Sequence, residues 1–127
     1  MAGEPASDAP VVRIPLTRTR VAEAALARID AEGLDALSMR KLGADLGVEA
    51  MSLYNHVCNK DDLLAAVSEL LHGKVLTYYR YEPDASWQDK ARAMARAWWR
   101  VGLEHPNAFS LISDNPVEGE AGIRVLA

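Results

Sequence analysis

Apolar residues recur three and four residues apart through most of the chain, the spacing that places them on one face of an α-helix. The first helix is predicted to follow Thr17, whose hydroxyl can cap a helix start, and to end at Gly33 in a left-handed conformation. No segment shows the strict alternation of a β-strand. The pattern therefore predicts an all-α fold, and the apolar face of its first helix is Val21, Ala22, Ala25, Leu26 and Ile29.

Two short helices are predicted next, with a glycine between them. Ser38 is suited to cap a helix over residues 39–46, and Gly47 is suited to end it. A third helix fits residues 50–57. The core-facing positions are four residues apart within each helix: Leu42 and Leu46, then Leu53 and Val57.

Longer helices are predicted in the second half of the chain. Asn59 is a cap candidate for a fourth helix that continues to about Val75, and Pro83 interrupts the pattern after it. Ser86 is suited to cap a fifth helix, and residues 107–112 fit a brief sixth. The predicted apolar faces of the fourth and fifth helices are Leu63, Leu64, Val67, Leu70, Leu71 and Val75, then Ala91, Met94, Ala95, Trp98 and Val101.

The composition is that of a soluble globular protein. Half of the 127 residues are apolar and a quarter are charged. No run approaches the roughly 18 uncharged apolar residues that a membrane span requires, and the N-terminal residues lack the pattern of a signal peptide. We therefore expect a cytoplasmic protein without membrane association, and the single cysteine, Cys58, agrees with a reducing compartment.

The net charge of −4 argues against a protein that coats nucleic acid indiscriminately, because non-specific affinity comes from neutralising many phosphates. Residues 13–60 carry seven Lys or Arg and six Asp or Glu, whereas residues 61–127 carry seven and ten. The first half is thus the less acidic one. A DNA-binding function must therefore be argued from a motif and its geometry.

The two short helices have the lengths and the tight glycine turn of a helix-turn-helix, whose second helix enters the major groove of DNA. The first turn of that second helix carries slim side chains, which allow its backbone to approach the base edges. The polar side chains that follow can donate hydrogen bonds to phosphates or bases. The predicted outward-facing residues are Ala50, Met51, Ser52, Tyr54, Asn55 and His56, and Lys60 at the start of the next helix suits a phosphate contact.

The segment from Leu37 to Val67, LSMRKLGADLGVEAMSLYNHVCNKDDLLAAV, resembles the signature of the TetR family of repressors. With the first helix included, the resemblance covers about residues 15–75, and the wording LYNHVCNKDDLL is closest to the tetracycline-repressor branch. The resemblance implies a homodimeric repressor that a small-molecule effector releases from double-stranded operator DNA. It implies no cofactor.

The resemblance also implies a domain organisation. Residues 15–75 correspond to the three-helix DNA-binding domain with its long linking helix, and residues 76–127 to the first helices of a ligand-binding and dimerisation domain that is incomplete in this chain. Residues 1–14, with prolines, small residues and no periodicity, are expected to form a flexible arm. Whether the chain is a fragment or a naturally short form stays open at this point.

Individual DNA contacts are implied where residues match the family. The resemblance places Tyr54, His56 and Lys60 at the DNA backbone or bases. It places Ser38 at a phosphate and Arg40 at a base. An alternative for Arg40 is a surface salt bridge, and for Tyr54 a half-buried packing position.

The first turn of the second short helix departs from the tetracycline repressor. Ala50, Met51 and Ser52 replace a longer polar residue, a proline and a threonine, so we expect a different operator. Asn55 replaces an aromatic residue of that branch, so its DNA contact is expected from its outward position and not from a matching residue.

Two residues of the fifth helix and its end, Trp99 and His105, are candidates for binding a hydrophobic ligand. A metal site at His56, Cys58 and His72 is disfavoured, because the spacing is not that of a zinc site. No nucleophile–base pair or phosphate loop is present, which disfavours an enzyme. The alternative function from another class is a shortened helical module that pairs with a longer regulator and modulates it.

Overall fold

The computed structural model describes residues 15–114, which fold into six α-helices. Within this range no strand is present, and the all-α prediction is confirmed. The predicted N-terminal arm and the residues after 114 lie outside the described residues. The helices are α1 (Arg18–Glu32), α2 (Met39–Leu46), α3 (Ala50–Leu53), α4 (Lys60–Tyr78), α5 (Trp87–Glu104) and α6 (Leu111–Asp114), with a single 3-10 turn at Leu34–Ala36.

Side-chain caps fix the starts of α1, α2, α4 and α5. In each, the side-chain oxygen of the cap accepts a hydrogen bond from a backbone N–H three residues later, at 2.8–3.2 Å. Each such cap contributes about 1 kcal/mol to helix stability. All four were predicted from the sequence and are confirmed: Thr17, Ser38, Asn59 and Ser86.

The two predicted glycine stops behave differently. Gly47 has φ 70° and ψ 29°, the left-handed conformation that was expected. Gly33 also has a positive φ, 93°, but its ψ is 163°, so the predicted left-handed stop is wrong there. Gly33 still donates its N–H to the carbonyl of Ile29 at 2.8 Å, and the chain then extends directly into the 3-10 turn.

The core lies between α1 and α4, with α2 and α3 closing one end and α5 and α6 packed along the rest of α4. Every predicted apolar residue of α1 is buried, as are Leu42 of α2 and Leu53 of α3. The buried residues of α4 form one face along its length, with members three and four positions apart. They are Leu63, Ala66, Val67, Ser68, Leu71, His72 and Val75.

The third helix is shorter than predicted. After Leu53 the backbone tightens, and the N–H groups of Tyr54, Asn55 and His56 donate to carbonyls three residues earlier, at 3.2, 3.4 and 2.9 Å. This tighter winding keeps both Leu53 and Val57 buried while the chain turns towards α4.

The buried face of α5 agrees with the prediction at its large residues and differs from it at its alanines. Val101 is buried, and Met94 and Trp98 pack against the core. Ala93, Ala97 and Val101 are buried, whereas Ala91 and Ala95 are exposed. Alanine is apolar on either face of a helix, so hydropathy did not distinguish the small residues that allow close approach to α4. The brief sixth helix exists, but residues 106–110 form turns and the helix begins only at Leu111.

No helix among residues 15–114 is long and apolar enough to cross a membrane.

Candidate nucleic-acid interface

Helices α2 and α3 form a tight unit because α2 carries no side chain where the turn crosses it. The N–H of Val48 donates to the carbonyl of Gly43 at 2.9 Å. A Cβ atom at Gly43 would lie only 2.7 Å from the carbonyl oxygen of Val48 and 3.2 Å from the backbone nitrogen of Ala50. Gly43 thus sets the approach of α3 to α2.

The pattern of the two short helices predicted a role for Gly47 and not for Gly43. The sequence nevertheless contains a signal for a role of Gly43. Glycine inside a short amphipathic helix costs about 1 kcal/mol relative to alanine, so its presence indicates close backbone packing.

The surface of α3 and its following turn carries the predicted DNA-facing residues. Met51 is 76% exposed and Tyr54 is 44% exposed. Asn55 is exposed as well, and Ala50, Ser52 and His56 are half-buried. Leu53 and Val57 anchor this segment from below, since both are buried in the core.

Two cations on the helices before and after α3 are free of ion pairs in the described part of the chain. Arg40, in the first turn of α2, and Lys60, the first residue of α4, are both exposed. Neither forms an ion pair with any residue from 15 to 114. The salt-bridge alternative for Arg40 therefore has no support in the described part of the chain.

Ser38 is occupied on one side only. Its hydroxyl oxygen accepts the hydrogen bond from the backbone N–H of Lys41 at 3.1 Å. A hydroxyl that accepts can still donate its proton, so Ser38 retains a donor for a phosphate oxygen.

The turn between α3 and α4 is held by Asp62. One carboxylate oxygen accepts from the backbone N–H of Cys58 at 2.8 Å, and the other accepts from the guanidinium of Arg18 at 2.8 Å. The hydrogen bond from Arg18, together with that from Cys58, lowers the pKa of the Asp62 carboxyl below its usual value. Asp62 is therefore charged at neutral pH.

The two candidate ligand-binding residues do not come together. Trp99 is 71% exposed and lines a shallow apolar groove of about 470 Å³ with Ala95, Trp98, Gly102, Leu103 and Phe109. His105 is absent from that groove, and its Nδ1 lies 2.8 Å from a carboxylate oxygen of Asp30.

The disfavoured metal site has no counterpart among residues 15–114, where no group of three His, Cys, Asp or Glu side chains could hold an ion. His72 is buried in α4, where its Nδ1 lies 2.8 Å from the carbonyl oxygen of Ser68 and its ring meets Trp98 edge-on. Cys58 is exposed.

The known proteins that this chain resembles indicate one family. Residues 21–67 match the family of bacterial regulatory proteins described as the tetR family. An HTH-type transcriptional regulator of Saccharopolyspora erythraea is 38% identical over 104 residues, covering 82% of this chain and 43% of that protein. The HTH-type transcriptional repressor DrrR1 of Streptomyces coeruleorubidus is 35% identical over 111 residues, covering 85% of this chain and 40% of that protein.

A class E tetracycline repressor protein of Escherichia coli is 34% identical over 108 residues, covering 80% of this chain and 51% of that protein. It is therefore no more similar to this chain than the two regulators above, although the wording of the motif resembles its branch. The chain spans about half the length of the curated relatives it matches.

Solved structures show the same arrangement of helices. ActR of Streptomyces coelicolor in complex with (S)-DNPA is 34% identical with a TM-score of 0.78, covering 89% of this chain and 55% of ActR. BioQ with its double-stranded DNA operator is 31% identical with a TM-score of 0.66, covering 79% of this chain and 58% of BioQ.

Proposed function

Because the chain belongs to the TetR family of bacterial regulatory proteins, we propose that its helix α3 enters the major groove of an operator and contacts the bases there. The observation that carries this proposal is the surface of α3. Met51 of α3 and Tyr54 directly after it project into solvent. Arg40 of α2 and Lys60 of α4 are exposed and form no ion pair with any residue from 15 to 114. The named relatives are transcriptional regulators and not enzymes.

We propose that the first turn of α3 selects the DNA sequence. Ala50 and Ser52 are slim and allow a close approach, and Met51 offers an exposed apolar side chain for the methyl group of a thymine. Arg40 is assigned to a base edge as well, where a guanidinium matches the two acceptors of guanine.

We propose that the polar residues around this turn contact the phosphate backbone. Ser38 donates its hydroxyl proton, and Lys60 supplies a charge at the amino end of α4, where backbone N–H groups also face the phosphate. Phosphate contacts fix the register of the helix on DNA without selecting a sequence. The remaining members of this set are Tyr54, Asn55 and His56.

Regulation is proposed from the relatives. We propose a cytoplasmic homodimeric repressor whose two copies of α3 contact half-sites about one helical turn apart, and which a small-molecule effector releases. DrrR1 is named as a repressor, and ActR has been crystallised with a small molecule. Nothing in the reported relatives supports the alternative of a shortened module that modulates a longer regulator.

Of the two candidate ligand residues, Trp99 fits an effector site better than His105. Trp99 faces an open apolar groove, which suits contact with an apolar ligand. The ring of His105 is instead engaged by Asp30 of α1, so we assign it to the connection between the two halves of the chain.

The experiment that tests DNA binding is a selection of bound sequences from a randomised duplex pool, using the purified 127-residue chain. Fluorescence anisotropy with the selected duplex, at several salt concentrations, then gives the affinity. We expect one recurring half-site and a dissociation constant that rises steeply with salt. Equal recovery of all sequences at every salt concentration would contradict sequence-specific contact.

A further inference from the structure

We propose that Asp62 is a positioning residue for DNA binding, although its carboxylate has the same sign of charge as DNA. The inference rests on the proposed function, because it concerns how the DNA-facing segment is held in place. Asp62 acts on DNA only through three exposed residues of the turn and the start of α4: Cys58, Asn59 and Lys60.

Two hydrogen bonds of Asp62 hold the turn before α4. The carboxylate of Asp62 accepts from the N–H of Cys58 at 2.8 Å, while the N–H of Asp62 donates to the side-chain oxygen of Asn59 at 2.8 Å. These two reciprocal bonds enclose the backbone between Val57, which is buried, and Lys60. Lys60 is thereby held at one orientation relative to α3.

Asp62 is also connected to α1 through Arg18. The guanidinium of Arg18 bonds Asp62 at 2.8 Å with one nitrogen and Glu69 at 2.7 Å with the other. Asp62 and Glu69 lie seven residues apart, two turns along the same face of α4. Arg18 thus fixes the start of α4 against the start of α1, and Asp62 transmits that position to the turn.

Asp61 is the neighbour of Asp62 and differs from it in its contacts. Both residues lie in the first turn of α4 and carry the same charge beside Lys60. Asp61 is exposed and forms no ion pair with any residue in the described range, so its carboxylate only repels the DNA phosphates. Removal of the Asp62 carboxylate should therefore weaken DNA binding, whereas removal of the Asp61 carboxylate should not.

The experiment compares Asp62→Ala with Asp61→Ala on the selected duplex, by anisotropy over a series of salt concentrations. Asp61→Ala should bind as tightly as the wild type or slightly more tightly. Asp62→Ala should bind about tenfold more weakly, because the turn loses a charge-assisted hydrogen bond and its link to Arg18. Its salt slope should also fall by about one, which is the signature of a lost phosphate contact at Lys60.

The isosteric variant Asp62→Asn separates position from fold. Its amide oxygen can still accept from the N–H of Cys58, so it should bind with an affinity between those of the wild type and Asp62→Ala. Should Asp62→Ala melt below the assay temperature, Asp62→Asn carries the test, and it must bind more weakly than Asp61→Asn.

Two results would overturn the inference, and they are distinguishable. If the wild type binds the duplex and the Asp62 and Asp61 variants gain affinity alike with equal salt slopes, Asp62 acts only by its charge. If the wild type itself binds no duplex at low salt, the proposed function fails and the inference fails with it.

Discussion

The Nδ1 atom of His105 lies 2.8 Å from a carboxylate oxygen of Asp30, although 75 residues separate them in sequence. Beside this contact, the side-chain amide of Asn107 donates to the carbonyls of Ile29 and Asp30 at 3.2 and 3.3 Å. The last carbonyls of a helix have no partner within it, so the segment between α5 and α6 completes the end of α1. The second half of the described chain is thereby attached to the helix that supports α2 and α3.

Replacement of Asn107 by alanine should destabilise the protein by about 1 kcal/mol, because the carbonyl of Asp30 loses this donor and the carbonyl of Ile29 keeps only the N–H of Gly33. Urea unfolding followed by circular dichroism measures the change. Gln88→Ala, an exposed position on α5, is the control and should leave the free energy of unfolding nearly unchanged. Equal midpoints for the two variants would show that the contact with α1 contributes nothing.

Gly43→Ala should destabilise the helix-turn-helix by about 1–3 kcal/mol and weaken DNA binding, because the added Cβ atom meets the backbone of Val48. The matched control is Gly73→Ala. A Cβ atom at Gly73 of α4 meets nothing within 4 Å, so this variant should be at least as stable as the wild type. Thermal unfolding of both variants measures the difference, and a stable Gly43→Ala protein with normal DNA affinity would disprove the role of Gly43.

Lys60→Ala should weaken binding to every DNA sequence alike and lower the salt slope by about one, since it removes a single phosphate contact. Lys74→Ala is the control on the same helix, about 21 Å further along its axis. It should change neither quantity.

Met51→Ala should instead change which bases are selected at one or two positions of the half-site, because an apolar side chain discriminates thymine by its methyl group. Repeating the selection with this variant measures the effect. An unchanged sequence preference, accompanied by a uniform loss of affinity, would assign Met51 to the backbone.

The adjacent residues Trp98 and Trp99 should differ sharply in their contribution to stability. The ring of Trp98 packs edge-on against His72 and Phe109, with ring centroids 5.4 and 6.3 Å away. Trp98→Ala should therefore cost about 2–4 kcal/mol. Trp99→Ala should cost less than about 0.5 kcal/mol, because that side chain faces solvent. Denaturant unfolding of the two variants gives both values, and a reversal of their order would place Trp99 in the core.

The contribution of Asp62 to stability should depend on pH. Its pKa is lowered in the folded state, so the stabilisation is fully present above the unfolded value of about 4 and is lost as the pH falls through the folded pKa. The wild type should be more stable than Asp62→Asn at pH 6, and the two should converge on further acidification below pH 4.

The control for this pH series is the same pair of proteins in an Arg18→Gln background. The hydrogen bond from Arg18 is the largest cause of the lowered pKa, so the pH-dependent difference should shrink in that background. An unchanged difference would assign the effect to the N–H of Cys58 instead.

Local chemistry explains why the helix starts could be predicted. Thr17, Ser38, Asn59 and Ser86 cap helices through bonds to residues three positions away, and such bonds need no information from the rest of the chain. The apolar face of α1 was equally legible, because its large residues lie on one side only and all of them are buried. The same argument made the motif of α2, turn and α3 visible.

The sequence by itself therefore determined the four capped helix starts, the order of the helices and the exposure of Met51, Tyr54 and Asn55. Only the tertiary structure decided which alanines of α5 are buried, since that choice depends on how closely α4 approaches small residues such as Ala93 and Ala97. It also decided that Gly43 is the contact point of α2 with the turn, and that Asp62 joins Arg18 to Cys58. These relationships arise between residues that are distant in sequence or on different elements, and their geometry exists only once the helices have packed.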